Sequence, residues 1–367
     1  MRILAVMLLL GPLVTLAQSE QFLQNNRLIF GTYKERTASM GMGDIDNDGD
    51  IDVVLANGRH WPGQNRVFIN NGRGVFTVSR LLGTDMSTSY STELADFDGD
   101  GDLDVAVGND MAPNFLFLND GAGRFTKGAS FGETYAPTRN IVTADVDGDG
   151  DIDILITNRG RENEICLNDG DANFSTSIGF GSKDDSTIDV EVADMDQDDD
   201  MDLVLANRDG QQNYVYLNDG QLGFNRKVPF GSGNDDTRSV AVEDVDQDGY
   251  KDIITANIQG ANLVYFGSKE GAYIRNITFD SSDNRSYAVA AQDLNGDGLM
   301  DIVIGNSGQS NGAFINKGKG TAWESIQLSE ESYRTYDIGI SDLNGDGKPD
   351  IIESNSDELN LYYFNRF

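Results

Sequence analysis

Apolar residues in this chain gather in short, dense runs and never fall at helical spacing over a useful length. Segments such as Asp52–Asn57 (DVVLAN), Asp104–Asn109 (DVAVGN), Asp153–Asn158 (DILITN) and Asp252–Asn257 (DIITAN) recur about every 49 residues. Their β-branched content and polar ends predict strands. Each is followed by a polar loop and a second strand bounded by asparagine, as in Asn65–Asn70 (NRVFIN) and Asn213–Asn218 (NYVYLN). A third strand, after a Gly-containing turn, centres on Phe76, Phe125, Phe174, Phe224, Tyr273 or Trp323, and a fourth precedes the next run, as in Ser239–Glu243 (SVAVE). Four antiparallel strands in a unit repeated at fixed period are the signature of a radial all-β architecture.

Seven units predict a seven-bladed β-propeller of four-stranded antiparallel blades, and the two chain ends predict how the ring closes. After its last repeat loop the chain holds only two strands, 350–355 and 360–367, so the outer strand of that blade is missing. The segment 27–32 (RLIFGT) carries the aromatic third-strand pattern and leads into the first inner strand. An N-terminal strand completing the last blade would leave no open ring edge, and trimming residues 20–35 would open the ring. Residues 1–17 read as a signal peptide, with Arg2 before an apolar stretch and Thr15-Leu-Ala17 as the cleavage region. The expected mature chain is then one exported domain, 18–367, secreted or periplasmic. The lone Cys166 takes a position held by aromatics in other repeats, so it reads as a buried hydrophobe outside any disulfide framework.

Between the fourth strand of one unit and the apolar run of the next lies the densest chemistry. Seven loops of pattern D-x-[DN]-x-D-G-x-x-D begin at Asp44, Asp96, Asp145, Asp194, Asp244, Asp293 and Asp342. Oxygen-bearing side chains at positions 1, 3, 5 and 9 with a glycine at 6 suit a hard cation taking six to eight oxygens. Calcium is the expected cofactor, up to seven ions, one per blade. The ligand sets by position 1, 3, 5, 7 and 9 are Asp44, Asp46, Asp48, Asp50 and Asp52; Asp96, Asp98, Asp100, Asp102 and Asp104; and Asp145, Asp147, Asp149, Asp151 and Asp153. The next two are Asp194, Asp196, Asp198, Asp200 and Asp202, then Asp244, Asp246, Asp248, Tyr250 and Asp252. The last two are Asp293, Asn295, Asp297, Leu299 and Asp301, then Asp342, Asn344, Asp346, Lys348 and Asp350. Position 7 varies freely, as expected if only its carbonyl coordinates. The fourth loop has Asp199 where the others have glycine, which would weaken that site without abolishing it. An EF-hand is excluded because an apolar strand, not a helix with a position-12 Glu, follows each loop.

These loops and strands resemble the FG-GAP/VCBS repeat proteins, among them the seven-bladed propeller of integrin α-subunits and seven-bladed fungal and bacterial lectins. The resemblance covers essentially all of 20–367. It implies calcium loops on one face, a structural role for the metal, and ligands on the opposite face or central funnel.

Net charge is −34 with only 27 Lys and Arg, and seven divalent ions would offset less than half of it. Nucleic acid and anionic membrane are therefore excluded as partners of the general surface. Against that background, Arg and Tyr gather on the face opposite the loops. The position six residues before each loop reads Ala38, Tyr90, Arg139, Ile188, Arg238, Tyr287 and Tyr336, a ring expected around the funnel mouth. Arg36, His60 and Trp61 lie on neighbouring segments, the last two in an irregular loop, 57–65, that holds the chain's one histidine. Arg grips carboxylates in two-pronged fashion and aromatic faces stack on sugars; equally, these Arg would neutralise acids such as Asp184, Asp189 and Asp235, and Trp61 would plug the funnel rim. The expected function is a monomeric binding module for a glycan or extracellular protein. The alternative is an extracellular polysaccharide lyase acting on uronates, with His60, Tyr90 or Tyr336, and Arg36 or Arg139 as its chemistry. A channel-facing pair, Glu93 and Glu191, reads as solvated lining.

Overall fold

The apolar runs are continuous, not alternating, because each lies between two neighbouring sheets and is buried on both faces. The computed structural model describes residues 21–367, so the export signal expected at 1–17 lies outside the described residues. All regular structure among them is β. Ser89–Ala95, Asp104–Asn109, Asn114–Asn119 and Phe125–Phe131 form one four-stranded antiparallel sheet in chain order, and the strands starting at Thr138, Thr187 and Thr237 open three more of the same form. Strands of the first, sixth and seventh repeats connect into a larger set. They do so because Ile29–Gly43 runs from one sheet into the next and because Ser307 and Gln309 pair with Arg334 and Tyr333.

The inner strands Ile29–Gly43, Ser89–Ala95, Thr138–Ala144, Thr187–Ala193, Thr237–Glu243, Ser286–Gln292 and Tyr333–Ser341 pack each against the next, and the last packs against the first. The core is accordingly a series of sandwiches. Ile45, Val54, Val67 and Leu82 of one sheet meet Val105, Val107 and Phe117 of the next, and Phe30, Ile352 and Tyr362 meet Met40, Val53, Leu55 and Phe68.

The chain ends meet as the sequence implies, with one shift. Phe22 and Leu23 pair with Asn365 and Phe364, and Ile29 and Phe30 pair with Leu361 and Asn360. The strand expected from residue 27 starts at Ile29. Asn25 Oδ1 accepts the Arg27 N–H at 2.9 Å and Asn25 O accepts that of Leu28 at 3.0 Å, turning the chain between the two pieces. Third strands also begin later than expected. Phe76, Phe174, Phe224 and Tyr273 precede Val78–Leu81, Thr176–Phe180, Arg226–Asp235 and Asn276–Asp280; only Phe125 and Trp323 open theirs. The aromatic folds under the turn onto the preceding repeat, Phe76 on Phe30 at 4.7 Å and Phe174 on Phe97 at 6.1 Å. Cys166 is fully buried, as expected, and burial pushes its thiol up to about 12.

Two belts of buried hydrogen bonds join consecutive sheets. On one side a Thr or Ser hydroxyl donates, within its own sheet, to the asparagine ending the apolar run, as Thr37 to Asn57 at 2.8 Å and Ser89 to Asn109 at 2.9 Å. A second asparagine reaches the next sheet's hydroxyl: Asn65 to Ser89 at 2.9 Å, Asn213 to Thr237 at 2.8 Å, Asn311 to Thr335 at 2.8 Å, and Asn360 back to Thr37 at 2.9 Å. Near the acidic loops, Asn119 donates to Ile45 O, Asn168 to Phe97 O, Asn365 to Leu294 O and Asn70 to Leu343 O, at 2.7–2.9 Å. Buried amides leave no polar group to water and hold neighbouring sheets in fixed register.

Candidate functional site

Each acidic loop is wound by its own first aspartate. Asp44 accepts the N–H groups of Asp48 at 3.1 Å and Gly49 at 2.9 Å, and Asp194 accepts those of Asp198 and Asp199 at 3.2 and 3.1 Å. Position 6 is left-handed throughout, from φ +82° at Gly347 to +99° at Gly150, and Asp199 adopts +71° in the same place. The fourth loop therefore keeps its shape without glycine. Position 4 is also left-handed, at Asn47, Gln197 and Gln247 as well as at glycines. The position-9 carboxylate is buried and ties two strands together: Asp52 accepts from Ile45 N at 3.1 Å and Asn70 N at 2.7 Å.

Carboxylates of each of five loops converge, in three of them with the position-9 aspartate included. One oxygen from each member of Asp44/Asp46/Asp48, Asp96/Asp98/Asp104, Asp145/Asp147/Asp153, Asp194/Asp196/Asp202 and Asp244/Asp246/Asp248 lies within 4.8 Å of the others. In three of these loops the position-3 aspartate, Asp46, Asp196 or Asp246, has a buried Oδ1 with no hydrogen-bond partner. Arg226 reaches the other oxygen of Asp196 at 3.4 Å, and Arg275 pairs with that of Asp246, both through Oδ2. Burial and then the adjacent carboxylates raise Asp46, Asp98 and Asp196 above the ordinary carboxylate range. Burial carries Asp52, Asp104, Asp153, Asp202 and Asp301 to about 6, and Asp252 and Asp350 to about 7. Crowded carboxylates with orphaned oxygens fit a hard divalent cation. In the last two loops Asn295 and Asn344 turn their amide nitrogens to Asp301 at 3.4 Å and Asp350 at 3.3 Å. Position-7 side chains turn away from the loop: Asp50, Asp102, Asp151 and Asp200 lie so close to Gly72, Gly121, Gly170 and Gly220 that a Cβ there would meet an oxygen at 2.5–2.8 Å.

At the other end, the inner strands surround a cavity of about 530 Å³. Of the eight expected ligand-binding residues, Tyr90, Arg139, Arg238, Tyr287 and Tyr336 line it, as does Ala38, while Ile188 is buried elsewhere. His60 joins them, its Nδ1 2.7 Å from the Tyr90 hydroxyl. Burial, then Arg59 and Arg139, lower the His60 pKa. The tyrosines do not offer open faces as expected. They are 6–7% exposed, with the Arg59 guanidinium 3.7 Å over Tyr336, Arg139 4.7 Å over Tyr90, and Tyr287 edge-on to Tyr336 at 4.8 Å.

Arg36 and Trp61 stand apart from the cavity. Arg36 pairs with Asp357 at 3.0 Å, and Trp61, 65% exposed, lies 5.9 Å from its guanidinium. Trp61 is thus no plug; Arg59 and His60 of the same loop extend over the mouth instead. Arg139 is neutralised by Asp110 at 2.7 Å, a different acid from those expected. Deeper in the cavity the wall is acidic. Burial, then Asp337 and Glu191, raise Glu93 well above its ordinary value, and burial with Asp189 carries Glu191 to about 8, so both are more perturbed than solvated lining would be.

Sequence reasoning overlooked the hydroxyl–asparagine belt, although a Thr or Ser stands seven residues before every loop, from Thr37 to Thr335. Arg59 and Arg208 on the upper loops also went unmarked, because nothing local distinguishes them from solvated arginines.

A family model described as FG-GAP-like repeat matches residues 44–107, 96–156, 145–205, 195–255, 244–304 and 293–353. No curated protein sequence matches the chain. Among solved structures, BBS1N in complex with ARL6DN is similar at TM-score 0.63 and 10% identity, over 94% of this chain and 97% of that one. The WD40 beta propeller domain of Doa1 is similar at TM-score 0.63 and 13% identity, over the same shares. Raptor of Chaetomium thermophilum is similar at TM-score 0.62 and 12% identity, over 95% of this chain and 29% of that one. At these identities the likeness is one of fold.

Proposed function

Since this chain belongs to the FG-GAP-like repeat family, we propose that it is a secreted, seven-bladed β-propeller, stabilised by up to seven calcium ions, that binds glycan or protein ligands on the face opposite its acidic loops. Closure of the ring by the N-terminal strands is supported by the Phe30–Asn360 pairing and by the Asn360–Thr37 and Asn70–Leu343 links from last repeat to first. Calcium is supported by the converging carboxylates and the orphaned oxygens of Asp46, Asp196 and Asp246. When bound, the ion would neutralise each cluster and hold the loop at its carboxylates; it has no access to chemistry at the opposite mouth. Among the described residues no helix is long and apolar enough to cross a membrane.

The observation that carries the binding role is the mouth itself: a cavity in a strongly acidic chain whose rim gathers Arg59, Arg139, Arg238, Tyr90, Tyr287 and Tyr336. Concave sites with a few convergent polar groups are where ligands bind. A screen of the mature protein in calcium against glycans and extracellular proteins tests it; no bound ligand in either class would sink the proposal.

A second reading, a uronate lyase, is favoured by the 2.7 Å contact between His60 Nδ1 and the Tyr90 hydroxyl with Arg139 over the same ring. A neutral imidazole beside a phenol can take or return a proton, and a guanidinium can neutralise a carboxylate. The same screen separates the readings: ultraviolet absorbance from new unsaturated uronates, lost in His60→Ala, marks the enzyme, and binding without it marks the module.

A further inference from the structure

The guanidinium groups of Arg59 and Arg238 stand at the cavity mouth, with Arg208 acting on Arg238 as a like charge, and all three lack the close carboxylates that guanidiniums normally find. Arg59 rests on Tyr336, and Arg238 lies 5.8 Å from the Tyr287 ring; neither is in an ion pair among the described residues. Arg208 has a buried Nε with no hydrogen-bond partner, and its only ion pair among the described residues, to Asp209, is 4.0 Å long. Asp209 is itself held by Arg159 at 2.7 Å. The carboxylate nearest in effect to Arg238 is Asp189, and its oxygens already accept from Asn140 at 2.6 Å, Val190 at 3.0 Å and Val240 at 3.1 Å. Arg208 and Arg59 each act on Arg238 as like charges and, after burial, lower its pKa.

Like charges brought together in a partly dehydrated space cost free energy unless an anion shares them. Elsewhere on this surface arginines do find acids: Arg36, Arg159, Arg161 and Arg334 are all paired. The chain carries 61 Asp and Glu, so a shortage of carboxylates is not the reason the mouth lacks them. The cavity beneath offers room for a group of atoms, not only a water.

We propose that Arg59, Arg208 and Arg238 form a site for one oxyanion of an acidic sugar, a carboxylate or a sulfate ester, held at the cavity mouth with Tyr287 and Tyr336 behind it. The planar forks of arginine match both groups in bidentate fashion. Trp61, exposed on the same loop as Arg59, supplies a face for a neighbouring sugar ring. This inference rests on the binding-module reading and narrows its ligand.

The test is calorimetric titration of the mature protein in calcium with three tetrasaccharides: tetragalacturonate, its neutral carboxyl-reduced counterpart, and a sulfated galactan tetramer. Binding of either charged probe but not the neutral one, with Kd raised roughly 10- to 100-fold in Arg59→Met and Arg238→Met, supports the site, and which charged probe binds tells carboxylate from sulfate. Arg238 is partly buried in the cavity lining, so its variant is first checked by thermal melt; Arg59, on the loop 57–65, decides the matter if Arg238→Met does not fold. Equal binding of the neutral probe, or unchanged Kd in the Arg59 variant, overturns the oxyanion site while leaving a binding module in place. An acidic hexapeptide that binds where none of the sugars does overturns the sugar assignment. Failure of every glycan and protein in the wider screen removes the underlying reading as well.

Discussion

Stripping calcium should destabilise this protein most at neutral pH and progressively less as the solution is acidified, the reverse of ordinary acid denaturation. The position-9 carboxyls of all seven loops carry the effect. Five are raised from 3.8 to about 6 and two, Asp252 and Asp350, to about 7, with burial as the first cause. A carboxyl raised on folding holds more protons in the folded chain than in the unfolded one between those two values, so stability falls as pH climbs through that window and returns as pH drops through it. The displacement to about 6 corresponds to about 3 kcal/mol per group. All seven residues are at most 1% exposed, so solvent does not screen this away. Even a third of that, repeated over the loops, is about 7 kcal/mol, the scale of a whole domain's stability. At roughly 2 °C per kcal/mol for a long chain, the gap between calcium-loaded and stripped protein at neutral pH should be on the order of 15 °C. Calorimetric melts of resin-stripped and calcium-loaded protein across the acidic-to-neutral range would show the gap narrowing toward low pH. Glu191 and Asp337 in the cavity wall share the sign but not the calcium dependence, so the difference between the two melts isolates the loops. A melt indifferent to calcium at neutral pH would refute the cation assignment. A stripped protein whose melting point falls steadily on acidification would refute the buried carboxyls as its cause.

Four further outcomes follow from particular contacts. Phe30→Ala removes a buried ring packed against Phe68, Phe76 and Tyr362 and should cost about 3–5 kcal/mol, with hydrogen exchange accelerating first in the strand at 360–365; an unchanged melt would mean the terminal strand is dispensable. Asp199→Gly relieves a non-glycine residue at φ +71° and should stabilise the calcium-loaded protein by about 1 kcal/mol, measured by denaturant midpoint. Trp61→Ala should abolish ligand binding and leave the melt in place, since the ring is 65% exposed; retained affinity would move the contact to another loop. Arg59→Met removes the largest charge holding the His60 pKa down, so the imidazole should titrate at higher pH by proton NMR.

The period of 49 residues and the strand–loop pattern were enough to foresee repeated four-stranded antiparallel sheets, because a run such as DVVLAN is apolar on both sides only if it lies between two others. The acidic loops were equally plain, since their geometry is local and Asp44 closes its own turn. Two kinds of feature stayed hidden. One depends on where an aromatic leans: Phe76 looks like the middle of a strand, yet its ring packs best on Phe30 of the terminal strand, and the chain leaves the sheet to let it do so. The other depends on residues far apart in sequence. Nothing near Arg208 or Arg238 shows that they share a space with Arg59, and nothing near His60 shows that Tyr90 lies within hydrogen-bond reach.

The proposed binding end sits on a molecule held together at both ends. Sheets are tied together beneath both ends, by the hydroxyl–asparagine belt on one side and the loop-carbonyl belt on the other, and upper loops add cross-sheet bonds such as Gly63 N to Ser87 O at 2.8 Å. Most of them stay short. The loop 57–65 does not: from the first repeat it sends Arg59 to Tyr336 of the seventh and His60 to Tyr90 of the second. His60 does this at φ +67°, a conformation a β-carbon disfavours. A loop that spans three repeats, adopts a strained backbone and brings an unpaired guanidinium beside two others lowers the stability of the free protein. Such cost persists at sites where a ligand recovers it, and an anion between those guanidiniums would recover the largest part.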